Sequence, residues 1–164
     1  MASGLGMKKG LVLLAALLIA GPAMAAKGST VDVTGPVTFS EQRNQVMLDL
    51  ADGETYAEIS PEDRAKVVSS LDRMERLLDA GETPQAIQAM HPNDRVDLIN
   101  EQEVINTILT RAQADSRMVC RREIPVGTRM PTNVCRTVAE SRRLRENSRQ
   151  QFEHAGRGRA NTIF

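Results

Sequence analysis

The chain has no tryptophan, one tyrosine (Tyr56) and three phenylalanines (Phe39, Phe152 and Phe164) among its 164 residues. Its core must therefore be built from Leu, Ile, Val, Met and Ala, and functions that need aromatic platforms, such as stacking the bases of single-stranded nucleic acid, are disfavoured. Histidine is scarce as well, with only His91 and His154, and cysteine is limited to Cys120 and Cys135. Two cysteines and two distant histidines fall short of a zinc ligand set, and the cysteine spacing is far from the C-x-x-C of redox-active pairs. No G-x-S-x-G, H-E-x-x-H, Walker-type or dinucleotide-binding glycine pattern occurs beyond residue 25. We therefore assign no catalytic residue, metal ligand or cofactor, and expect a protein that is not an enzyme.

What is present at the start is an export signal. Met7-Lys8-Lys9 supplies positive charge, Gly10 to Ala20 an uncharged apolar run, Gly21-Pro22 a helix breaker and Ala23-Met24-Ala25 the small residues of a peptidase site. The run is short for a membrane span, which needs roughly 20 residues. Residues 1–25 are thus read as a signal peptide with a leading extension before Met7, cleaved between Ala25 and Ala26 to release a periplasmic or secreted product without an integral membrane span. The 139 residues that remain suit a single domain.

Net charge is zero, yet the sum hides an asymmetry: residues 27–110 carry 7 basic and 16 acidic residues, whereas residues 111–164 carry 12 arginines and 5 acids. Such halves can attract each other or face different partners. Residues 26–39 lack a helical period and read as an extended, largely unpacked lead-in. Ser40 can cap a helix beginning at Glu41, with Val46, Met47, Leu48 and Leu50 as its apolar surface and Asp52-Gly53 as its stop. Tyr56 and Ile59 are candidates to fold back onto the core. Ser60-Pro61-Glu62-Asp63 is the strongest helix start, followed by Ala65, Val67, Val68, Leu71, Met74, Leu77 and Leu78 at helical spacing and by a stop at Gly81. Thr83-Pro84 opens a short helix over residues 85–90, and Asn93 or Asp94 a longer one to about Ala114, with Val96, Leu98, Ile99, Val104, Ile105, Ile108 and Leu109 turned inward.

Cys120 and Cys135 are an even pair in a chain marked for export, which favours a disulfide. The midpoint between them falls between Gly127 and Thr128, and a two-residue Gly-X loop marks a type II′ hairpin turn. In that register the two cysteines lie opposite each other, with strands over residues 118–124 and 133–137. Pro125 and Pro131 weaken the ladder towards the tip. The expected fold is mainly α: a small antiparallel helical domain over residues 40–155, with a disulfide-pinned β-hairpin at 118–137 followed by a basic helix and a disordered tail at 156–164.

The stretch VCRREIPVGTRMPTNVCRT resembles a pattern of small exported gammaproteobacterial proteins for which no activity is established: Cys, six residues, Gly-Ser/Thr-Arg, five residues, Cys. Cys120, Gly127, Thr128, Arg129, Cys135 and Thr137 carry the match, and the stretch from Asn100 to Leu109 is also similar. The similarity spans about residues 40–145. An aromatic residue often found after the second cysteine in that group is absent here, where Ser141 and Arg142 stand. The resemblance implies export and the disulfide, and no activity.

Thr137-Val138-Ala139-Glu140 is a capping box that starts the last helix, whose apolar positions are few: Val138, Leu144 and Phe152. Arg121, Arg122, Arg129, Arg136, Arg142, Arg143, Arg145 and Arg149 are the candidate anion-binding residues, suited to phosphates of lipopolysaccharide, phospholipid or nucleic acid. The plainer reading is a solvated helix, with Arg142–Glu146 and Arg149–Glu153 as i, i+4 pairs and other arginines meeting the acidic half of the same molecule. The functional expectation is an exported interaction or structural protein of the bacterial envelope, possible partners being another envelope protein or an anionic envelope surface. Mass measurement of the protein recovered from the periplasm is expected to give an N-terminus at Ala26.

Overall fold

The computed structural model describes residues 28–160, with side chains described as far as Ala155. Residues 1–27, which include the expected export signal, and the last four residues lie outside that range. Within it the chain is mainly helical, with one two-stranded hairpin: α1 (Phe39–Ala51), α2 (Pro61–Leu77), α3 (Pro84–Ala89), α4 (Pro92–Ser116), β1 (Met118–Glu123), β2 (Thr132–Thr137) and α5 (Val138–Ala160).

Sequence signals account for most helix starts. Ser60 accepts from the Asp63 N–H at 3.0 Å, with Pro61 at the first helical position, and Thr83 does the same for Ala86 at 3.2 Å. Met90 ends α3, and the next residue, His91, caps α4, its Nδ1 accepting from the Asn93 N–H at 3.3 Å. α1 is capped by Thr38 and not by Ser40 as expected. Starting two residues earlier places Phe39 in the core, where it is buried. Asp52 ends α1 by accepting from the N–H groups of Glu54 and Thr55, with Gly53 at φ +72°.

The centre is a seam between α2 and α4. Val67, Leu71 and Met74 from α2 meet Leu98, Ile105, Ile108 and Leu109 from α4, and all are buried. Each large aliphatic side chain so placed contributes about 1.5–3 kcal/mol. The bidentate Arg73–Glu101 pair at the edge of the seam, at 2.6 and 2.7 Å, is solvated and contributes at most about 1 kcal/mol. Apolar burial therefore sets the α2–α4 register, and the ion pair follows it. Val96 and Ile99, expected inside, are exposed, because the buried stripe of α4 runs through Leu98, Ile105, Leu109 and Ala112 and leaves them on the far side. Leu48 is exposed for the same reason on α1, where Val46 and Leu50 face inward.

The lead-in differs from the expectation of a largely unpacked segment. Val31 and Val33 are buried, and their backbone groups are held by amide side chains: the Val31 N–H donates to Asn106 Oδ1 at 2.8 Å, Asn106 Nδ2 donates back to the Val31 carbonyl at 2.7 Å, and the Val33 N–H donates to Gln102 Oε1 at 2.9 Å. From the other side Gln42 accepts from the Asp32 N–H and donates to the carbonyls of Asp32 and Val37. Residues 29–37 thus form a strap laid between α1 and α4, in which side-chain amides replace a partner strand. Tyr56 folds back as expected and donates to the Ser29 carbonyl at 3.0 Å. Gly28 is required there, since a Cβ would lie 2.7 Å from the Tyr56 hydroxyl.

α5 also differs from expectation, since its helical backbone continues through residues 156–160, which were expected to be disordered. Asn106→Ala leaves both Val31 backbone groups without partners and is expected to lower the unfolding free energy by about 1–3 kcal/mol. Urea denaturation together with faster proteolysis within residues 28–37 checks this.

Candidate functional site

β1 and β2 pair antiparallel with Cys120 opposite Cys135, and the two are joined by a disulfide. The register is the expected one, but the turn is not. Pairing stops at Glu123–Thr132, and the tight turn falls on Val126-Gly127, closed by the Thr128 N–H donating to the Pro125 carbonyl at 3.2 Å. Gly127, at φ +88° in the third position, has the geometry of a type II turn rather than the type II′ turn expected at Gly127-Thr128. Pro125 and Pro131 cannot donate to a ladder, so the pairing opens before a two-residue loop can form. Thr128 then uses its hydroxyl to accept from the Met130 N–H at 3.0 Å.

β2 runs directly into α5, and the Val138 N–H donates to the Arg117 carbonyl at 3.0 Å. Thr137 caps the helix by accepting from the Glu140 N–H, while its own hydroxyl donates to Glu58 Oε1 at 2.6 Å. Glu58 is the hub of this junction. It also receives Arg143 at 2.7 Å, and its backbone N–H donates to the Ser116 hydroxyl. The Arg143 bond, then the Thr137 bond, holds its carboxyl below the usual range. One side chain from the α1–α2 connection therefore ties together the end of β2 and the start of α5.

The eight candidate arginines divide into two groups. Arg142 pairs with Asp115 at the end of α4 and not with Glu146; Arg143 pairs with Glu58; Arg149 pairs with Glu153 and Glu146; Arg136 pairs with Glu123 and Glu140; Arg145 donates to the Ser141 carbonyl. Arg121, Arg122 and Arg129, all in the hairpin, form no ion pair among the described residues. The structure does not bring the eight together as one surface.

Beyond these arginines, sequence reasoning missed the apolar character of the hairpin tip. Ile124 is 66 % exposed, Met130 is 75 % exposed and Val126 is fully exposed. Burial prediction places such residues inside by default, and the signal that could have found them was the pair of prolines bracketing the tip. Other hollows are shallow. One between α3 and the start of α4 is lined by Val33, Ile87, Arg95, Val96 and Ile99, and holds no acid–base pair. No group of three or more potential metal ligands occurs, and no helix is long and apolar enough to cross a membrane, among the described residues. No family model matches the sequence, and neither a curated protein nor a solved structure matches it.

Because Glu58 is ionised more readily in the folded state, its contribution is fully present above the unfolded carboxyl value of 4.5 and is lost as pH falls through its lower folded-state value. Glu58→Gln is expected to lower stability at neutral pH by about 1 kcal/mol, a figure reduced because Arg143 is well exposed. The difference from the parent should vanish in acid, as measured by denaturant titrations across that pH range.

Proposed function

We propose that this chain is an exported, non-catalytic interaction or structural protein of the bacterial envelope, with the disulfide-linked hairpin as its working surface. The observation that carries the reading is the contrast between the helices and the hairpin. Apolar side chains that reach the surface of the helical part, such as Leu48, Val96, Leu144 and Phe152, are spread over α1, α4 and α5, whereas the hairpin gathers Ile124, Val126 and Met130 at its end, with Arg121, Arg122 and Arg129 in no ion pair among the described residues. Export is supported by the leader pattern before Ala26, by the disulfide and by the resemblance carried by Cys120, Gly127, Arg129 and Cys135.

A non-catalytic role is supported by the chemistry of the titratable groups. The carboxylates with displaced pKa values, among them Asp32, Asp52, Glu58, Glu101 and Glu123, are all pulled down, the first two by hydrogen bonds within turns and the others chiefly by arginines, and so are stabilised as anions. Tyr56 is pushed up to about 12 by burial, with Asp49 next in effect, while its hydroxyl is committed to the Ser29 carbonyl. Neither pattern poises a group to exchange protons near neutral pH.

A photo-crosslinking side chain at Val126 of the exported protein is expected to give a defined adduct in intact cells, with either a protein or a lipid. The same group at Leu48, an exposed aliphatic position on α1, should give none. Adducts of equal yield at both positions, or none at Val126, would remove the hairpin as the working surface.

A further inference from the structure

We infer that the hairpin tip inserts into the headgroup region of an anionic phospholipid bilayer and so holds the protein at a membrane surface; this rests on reading the hairpin as the working surface. Three features of the tip carry it. The first is display: Ile124, Val126 and Met130 lie within seven residues of one another and are exposed together, at the end of six-residue strands that extend about 20 Å from the helical junction. The disulfide and the ladder hold these strands, so little ordering is left for the binding step.

The second is charge. Between Arg117 and Thr137 there are five arginines and one glutamate, and that glutamate, Glu123, is bound to Arg136. No acidic residue occurs from 124 to 139, so the surroundings of the apolar tip are of one sign and complement anionic headgroups. Arg122 and Arg129, which form no ion pair among the described residues, and Arg121, whose charge is felt by Glu123 without a direct ion pair, stand behind and beside the tip, where phosphates would meet them.

The third is the backbone. Moving a loop towards the bilayer interface is opposed by its unpaired N–H groups. Of the eight residues from Ile124 to Pro131, Pro125 and Pro131 have no N–H, and Thr128 and Met130 have theirs satisfied within the loop, which leaves the N–H groups of Ile124, Val126, Gly127 and Arg129 to be met by water or headgroup oxygens and keeps the tip in the headgroup region. The Thr128 hydroxyl accepts one of these bonds, so beside the arginines its O–H is the one polar side-chain group that the described tip from Ile124 to Pro131 presents. A surface recognised by charge and apolarity alone fits it best.

The absence of tryptophan gives a clean measurement. The mature protein is expected to co-sediment with vesicles of phosphatidylglycerol and phosphatidylcholine in equal parts at about 0.1 M salt, and not with phosphatidylcholine alone. Val126→Trp should show emission shifted to the blue on the mixed vesicles. The double variant Val126→Asp, Met130→Asp, checked for unchanged circular dichroism and an intact disulfide, should bind at least about tenfold more weakly. Absence of binding to mixed vesicles, equal binding to neutral ones, or undiminished binding by the double variant would each overturn the proposal. If vesicle binding fails while a crosslinker at Val126 captures a protein, insertion is wrong and the hairpin remains the working surface; if both fail, both readings fall.

Discussion

The apolar seam between α2 and α4 is the interaction on which the other elements depend. Leu71 and Met74 against Leu98, Ile105 and Leu109 provide a broad apolar surface onto which α1 and the N-terminal strap close in a chain with so few aromatic rings. Aliphatic cores gain their energy through many small contacts and lose it quickly when a side chain is shortened. The ion pairs Arg73–Glu101, at the solvated rim of the seam, and Arg43–Asp72, between α1 and α2, select among packings that the aliphatic residues already favour.

How much of this was legible in the sequence follows from the range of each interaction. Helix starts at Ser60, Thr83 and Thr137 depend on neighbours two or three residues away, and these were readable. The cysteine register was readable because symmetry about Gly127-Thr128 fixes it, whereas the turn moved because two prolines disrupt the ladder near it. The strap was not readable as packed, since Asn106 and Gln102 act on backbone 75 and 69 residues away. The alternation of Val31 and Val33 with Asp32 was the available sign. Of the candidate site, arginine content was plain from the sequence, but which arginines have carboxylate partners was not. Arg142 passes over Glu146, four residues along its own helix, for Asp115 on α4.

The resulting molecule divides its charge between two uses. Glu58, Asp115 and Asp63 draw Arg143, Arg142 and Arg111 inward and join segments far apart in the chain. Of the hairpin arginines, Arg136 pairs with Glu123 and Glu140, while Arg121, Arg122 and Arg129 form no ion pair among the described residues, and the strands are held by a covalent bond exposed to solvent. Rigidity in the hairpin thus comes from the disulfide and ladder rather than from burial, which leaves its side chains facing outward.

Tyr56 gives the strap an internal gauge. It is the sole tyrosine in a chain without tryptophan, and its hydroxyl is bonded to the strap at Ser29. Docked, the phenol ionises at about 12, against an ordinary value of 10.0. In alkaline solution between those values a ring whose strap has come away ionises more readily than a docked one, so ultraviolet titration of the unmodified protein shifts with the population of the released strap.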